Sequence, residues 1–142
     1  MKSTSEKEAM ELVNCLIHEN SSSNAFNYAI PSNWPIEAWR MLLDVRSEKW
    51  DLAHFYTWIA GHTYAPEEIV RILAKNTERR VRMRVAEKRN LPTDLFLELA
   101  KDYDEGVRQS VARNKKTPRD IMRYLENDES IAVRDLAKLQ LK

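Results

Sequence analysis

Pro66, Pro92 and Pro118 stand 26 residues apart, and the spacing does not stop at proline. The same offset links Glu68, Asp94 and Asp120, then Ile69, Leu95 and Ile121, then Leu73, Leu99 and Leu125. It runs through Asn76, Asp102 and Asp128, and through Phe55, Val81, Val107 and Val133. Ile59, Val85 and Val111, then Ala60, Ala86 and Ala112, then Arg82, Arg108 and Arg134 complete nine columns in one register. A repeat of this length is one supersecondary unit that cannot bury its apolar face alone and must stack on its neighbours.

Each unit reads as two helices. Proline suits the first helical position, where its missing N–H would have no intrahelical partner anyway. Thr117 before Pro118 is the expected N-cap, and the acid two places after each proline sits near the positive end of the helix dipole. The apolar column and the Leu four residues on form one i, i+4 stripe. The second helix carries Val81, Val85 and Ala86, the alanine small enough for a neighbouring helix to come close.

Helices are expected near 5–18, 35–45, 50–60, 66–76, 79–89, 92–102, 105–113, 117–127 and 131–140. A polar turn at Ser21–Asn24 and an irregular stretch Phe26–Trp34 separate the first two. Residues 35–60 read as a degenerate first unit, since 31 residues separate Pro35 from Pro66. Ala9, Leu12, Val13, Leu16 and Ile17 put one apolar stripe on the first helix, as a cap for the stack would need. The expected fold is all-α, a right-handed α-solenoid of stacked helix pairs with 26-residue repeats. Residues 1–34 would be the capping helix and irregular segment, and residues 35–142 the repeat array, in one compact domain. Leu73, Leu99 and Leu125 would form one buried row.

The segment VARNKKTPRDIMRYLENDESIAVR, Val111–Arg134, resembles the variant leucine-rich repeat, in which a helix pairs with a shorter helix or 3₁₀ turn. VAEKRNLPTDLFLELAKDYDEGVR, Val85–Arg108, is a second copy, and IAGHTYAPEEIVRILAKNTERRVR, Ile59–Arg82, a weaker third. The spacing of Asp before Val-Arg is also similar to HEAT repeats. These resemblances cover about residues 50–142 and imply a scaffold rather than a chemistry. The founding variant-repeat protein carries a cysteine-rich cluster-binding region; here Cys15 stands alone, so no cluster and no cofactor is implied.

Composition excludes several classes. Gly61 and Gly106 are the only glycines, too few for a turn-rich β fold or a glycine-rich phosphate loop. A single cysteine supplies neither an internal disulfide nor a cysteine cage, which fits a reducing compartment. No stretch approaches the roughly 20 apolar residues of a membrane span, and the first residues make a poor signal peptide; cytoplasmic residence is the expectation. The net charge of +1 is unevenly spread. Residues 1–70 hold 5 Lys/Arg and 10 Asp/Glu, residues 71–90 hold 8 and 2, and residues 91–142 hold 10 of each.

Candidate chemistry is thin. His18, His54 and His62 offer no metal-binding spacing, since i, i+8 is too far for one ion and no third ligand is evident. No nucleophile–base arrangement appears, so no catalytic residue is assigned. The Arg82, Arg108 and Arg134 column invites a phosphate site, but each follows Asn76, Asp102 or Asp128 by six residues. A structural pairing of each acid with an Arg of its own or the next unit is the stronger reading. It puts Asp102 and Asp128 within hydrogen-bonding distance of Arg108 or Arg134, or of backbone N–H groups between helices.

The basic segment Glu78–Arg89 remains. With Val81 and Val85 inward, Arg80, Met83 and Glu87 point outward and Arg84 lies at the flank. Among the aromatic residues of the first half (Phe26, Tyr28, Trp34, Trp39, Trp50, Phe55, Tyr56, Trp58 and Tyr64), Trp58 occupies the column of Arg84 and Ser110. The expected partner-binding set is Trp58, Arg80, Met83, Arg84, Glu87, Gln109 and Arg113. The expected function is non-catalytic protein binding. Short solitary helical-repeat chains resemble some immunity proteins of contact-dependent growth-inhibition systems, which implies a toxin partner, a nuclease in the sharpest case, neutralised by occlusion of its active site. The alternative is nucleic-acid binding through residues 78–89, for which the basic surface is narrow.

Overall fold

The computed structural model describes residues 7, 10, 11, 14, 30, 32–44 and 52–142. Among these the chain is all-helical, with eight delimited helices and no strand. They are α1 (Ile36–Leu43), α2 (Leu52–Ala60), α3 (Glu67–Leu73), α4 (Arg79–Ala86), α5 (Thr93–Ala100), α6 (Glu105–Arg113), α7 (Arg119–Leu125) and α8 (Ile131–Leu141). Lys7, Met10, Glu11 and Asn14 are also helical. The rest of the expected first helix, the turn at Ser21–Asn24, most of Phe26–Trp34, and Trp50 lie outside the described residues. No helix among the described residues is long and apolar enough to cross a membrane. The chain divides into two compact units, Met1–Val70 and Arg71–Lys142.

In Met1–Val70 the core is built around bulky rings. Trp39, Leu42, Phe55 and Ile59 are almost wholly buried. Trp34 meets Trp39 edge-on at 5.8 Å, and His62 packs against both Trp39 (6.1 Å) and Trp58 (4.5 Å). Tyr56 donates its hydroxyl to the Leu43 carbonyl at 3.3 Å, satisfying one of the orphan carbonyls at the end of α1.

In Arg71–Lys142 the helices form two sets. The second helices pack on one another, α4 on α6 and α6 on α8, while α5 packs on α7, and α6 and α8 touch both sets. Helix starts recur with the sequence spacing, at 67, 93 and 119 and at 79, 105 and 131. Leu73, Leu99 and Leu125 are buried to 1% exposure or less, as are Val81, Val107 and Val133. An exposed pair recurs as well. Arg40 grips Glu68 with two nitrogens in the first unit, and Arg71 grips Asp94 at 2.6 Å in the second.

Two local expectations need correction. Pro35, Pro92 and Pro118 are N-caps rather than first helical residues, because their ψ of about 150° is extended. Thr117 does not cap the helix that follows it. Its hydroxyl donates to the Val111 carbonyl at 2.7 Å, closing the end of α6 instead. The side-chain caps belong to the second helices, where Asp104 accepts from the Val107 N–H and Ser130 from the Val133 N–H.

Candidate functional site

The arginine column is interior. Arg82 donates Nε and Nη2 to the Asp102 carboxylate at 2.8 and 3.3 Å, and Arg108 repeats this on Asp128 at 2.9 and 3.3 Å. All four side chains are less than a tenth exposed. Each acid thus takes the Arg of the preceding unit rather than of its own or the next. The expected contacts of Asp128 with Arg108 and of both acids with inter-helix N–H groups are present. The Arg of its own unit reaches the backbone instead, Arg82 Nη1 on the Asn76 carbonyl and Arg108 Nη1 on the Asp102 carbonyl, both at 2.8 Å.

Each Arg closes on the main chain six residues back with Nη1, while its Nε–Nη2 edge meets the acid of the next turn. Asp102 and Asp128 serve twice, because each also accepts the N–H two residues on, as Asn76 does. These Asx turns set the entry into each second helix. Burial works against the Arg82 charge, but the hydrogen bonds and charge of Asp102 outweigh it and hold its pKa above the ordinary value.

With those arginines consumed, what remains on the second helices is a polar face. Arg80 is exposed near the start of α4. Arg84 pairs with Glu87 at 2.9 Å, both nearly half exposed. Met83 is half-buried, because α6 passes close at Gly106, where a β-carbon would lie 3.3 Å from the Met83 sulfur and 2.9 Å from Asp104 Oδ1. Along α6, Gln109 donates to Glu105 at 3.1 Å and accepts weakly from Arg113 at 3.4 Å. Five of the seven expected residues thus lie on two helices that pack together, and a sixth, Glu87, is the C-cap of the first of them. The seventh, Trp58, belongs to Met1–Val70, where it is half-buried, stacked on Phe55 at 5.9 Å and edge-on to His62.

Two concave features adjoin these helices. A cleft of about 240 Å³ at their C-terminal ends is lined by Glu87, Arg89, Ser110, Arg113, Asn114 and Lys115. Asn114 forms its inner wall. This buried side chain donates to the Ala86 and Lys88 carbonyls at 2.9 and 2.7 Å, tying the end of α4 to the end of α6. Burial pushes the Lys88 ammonium down to about 8, helped by the charge of Arg84. A groove of about 530 Å³ lies between the turns before α6 and α8, with Tyr103 and Tyr124 on its rim and the Arg108–Asp128 pair in its lining. Tyr103 is 83% exposed, with the Arg82 guanidinium 4.8 Å from its ring centre.

Neither feature was singled out from sequence. The signal for the groove was a Tyr in an otherwise polar turn column, Thr77, Tyr103 and Glu129. Among the described residues no group of three or more His, Cys, Asp or Glu is placed to hold a metal ion. Comparison with protein-family models, with curated proteins and with solved structures found no match to this chain.

Proposed function

We propose that this chain is a non-catalytic protein-binding module, a right-handed α-solenoid of variant-leucine-rich or HEAT-like type, whose recognition surface is the outer face of its second helices. The surface comprises Arg80, Met83, Arg84, Glu87, Gln109 and Arg113. The observation that supports this reading is the division of labour among the arginines. Arg82 and Arg108 are buried in ion pairs, while Arg80 and Arg113 are exposed on the same two helices. Charges of both signs, a thioether and an amide share that face, a mixture that suits a protein epitope better than a uniform phosphate backbone. The adjoining cleft adds relief.

The partner class we put first is a toxin, a nuclease in the sharpest case. The module would block it by covering its active site, with steric and electrostatic occlusion as the whole mechanism. One observation favours a second reading, nucleic-acid binding: Arg89, Arg113 and Lys115 line one cleft beyond the basic helix. Co-purification with the product of the adjacent gene separates the two. Recovery of a stoichiometric protein complex supports the first. Tight, salt-sensitive binding to generic duplex, with no protein recovered, supports the second.

A further inference from the structure

Two buried arginines of the ladder have the same partners and different coverings. Arg82 and Arg108 each donate Nε and Nη2 to the Asp of the next turn, and Nη1 to main chain. The residue after that Asp is Tyr103 in the first case and Glu129 in the second. The Tyr103 ring lies over Arg82, its centre 4.8 Å from the guanidinium carbon. Arg108 has no ring over it among the described residues. Glu129 reaches only its Nη2, at 3.5 Å, with a side chain that is largely in solvent. A hydrogen bond to Nη2 runs along the guanidinium plane and leaves the face of the group free.

Space opens at that place. Arg108, Asp128 and Glu129 line the groove of about 530 Å³ between the turns before α6 and α8. Both walls are inter-helix turns of the repeat array, so the groove is formed wholly between described helices. Exposed Tyr103 and Tyr124 stand on its rim. Tyr124 already faces a cation, with Lys101 Nζ 5.9 Å from its ring centre.

The chemistry of the missing occupant follows from these neighbours. A guanidinium paired in its plane still offers a flat, weakly hydrated face, and the electron-rich face of an aromatic ring complements it. Tyrosine walls add edge and face contacts for a second ring. The carboxylates of Asp102, Asp128 and Glu129 outnumber the cations Lys101 and Arg108 in the lining, which disfavours a phosphodiester chain.

We propose that this groove receives an aromatic side chain of a partner protein, seated on the Arg108 guanidinium as Tyr103 sits on Arg82. Tyr103 and Tyr124 flank the incoming ring. The groove shares no residue with the face of α4 and α6 assigned above, so either assignment stands or falls without the other.

The test uses the full chain and N-acetyltyrosine methylamide, with N-acetylleucine methylamide as the control that lacks a ring. The Nε–Hε resonances of Arg82 and Arg108 are followed by NMR. The expected result is a saturable upfield shift at Arg108, with none at Arg82, which Tyr103 already covers, and none from the leucine compound. Glu129→Tyr supplies the absent ring from within the chain, at an exposed position outside the Arg–Asp pairs. It should weaken binding by about tenfold or more. Equal shifts at both arginines, equal shifts with the leucine compound, or unchanged binding in Glu129→Tyr would overturn the proposal. So would tighter binding of adenosine monophosphate at the same resonance, since the groove would then be a platform for nucleotide bases.

Discussion

Among the described residues of Met1–Val70 the largest fully buried side chains are Trp39 and Phe55, Trp39 meeting Trp34 and His62 edge-on and Phe55 stacking on Trp58. In Arg71–Lys142 the buried set is Leu73, Leu99, Leu125 and a run of Val and Ala, with Phe96 its one buried aromatic among described residues. The first unit is acidic and the second basic. The difference shows two ways to join short helices. Large rings fill whatever space an irregular unit leaves, and no residue has to recur. Small aliphatic residues leave uniform gaps, so units of equal length repeat the same contacts, and a buried ion pair can fix the spacing of each turn against the next. Regularity in the second unit is therefore a matter of polar as well as apolar side chains.

The largest effect should come from breaking that ladder. Asp128→Ala strands a buried Arg108 and removes an Asx turn, and it should cost about 3–5 kcal/mol in denaturant unfolding followed by circular dichroism. A cost below about 1 kcal/mol would mean that the pair behaves like a surface contact and the comparison fails. Leu99→Ala should cost about 2–5 kcal/mol through the cavity it leaves. Asp104→Ala should cost about 1 kcal/mol by removing the cap of α6, whereas Glu78→Ala, in the same column but with no side-chain cap, should change little.

A pH-dependent effect is expected at Lys88. Its folded pKa of about 8 lies below the unfolded value of 10.5, so the unfolded chain binds more protons between them. The burden is full below pH 8 and is relieved as pH rises toward 10.5. Lys88→Met should therefore stabilise the chain at neutral pH, by an amount that shrinks across that window.

Much of this was legible in the residues. The periodic columns located α2 to α8, because apolar spacing and the proline signals agree there, and Pro35 pointed to α1. The helices are two or three residues shorter than expected at several ends, where turn residues satisfy the last carbonyls. The caps were misread because Thr117 could serve either neighbour, and only the distance to Val111 decides. The direction of the ladder was not legible, since a period of 26 places Asp102 near both Arg82 and Arg108. A covariation inside the sequence does hint at it. The arginine column begins at Tyr56, and the acid one step along, residue 76, is Asn rather than Asp. Of the expected surface, the α4 and α6 residues follow from helical geometry. The role of Trp58 in a ring cluster does not, because aromatic packing in the irregular unit has no period.

The claim at the centre is that the exposed face of the second helices recognises a protein. The direct measurement is the affinity of the co-purified partner for the full chain and for Arg80→Glu/Arg84→Glu, by calorimetry at fixed salt. The account predicts a loss of about tenfold or more with an unchanged melting temperature, because neither residue belongs to the buried ladder. Unchanged affinity would remove α4 from the interface and contradict it.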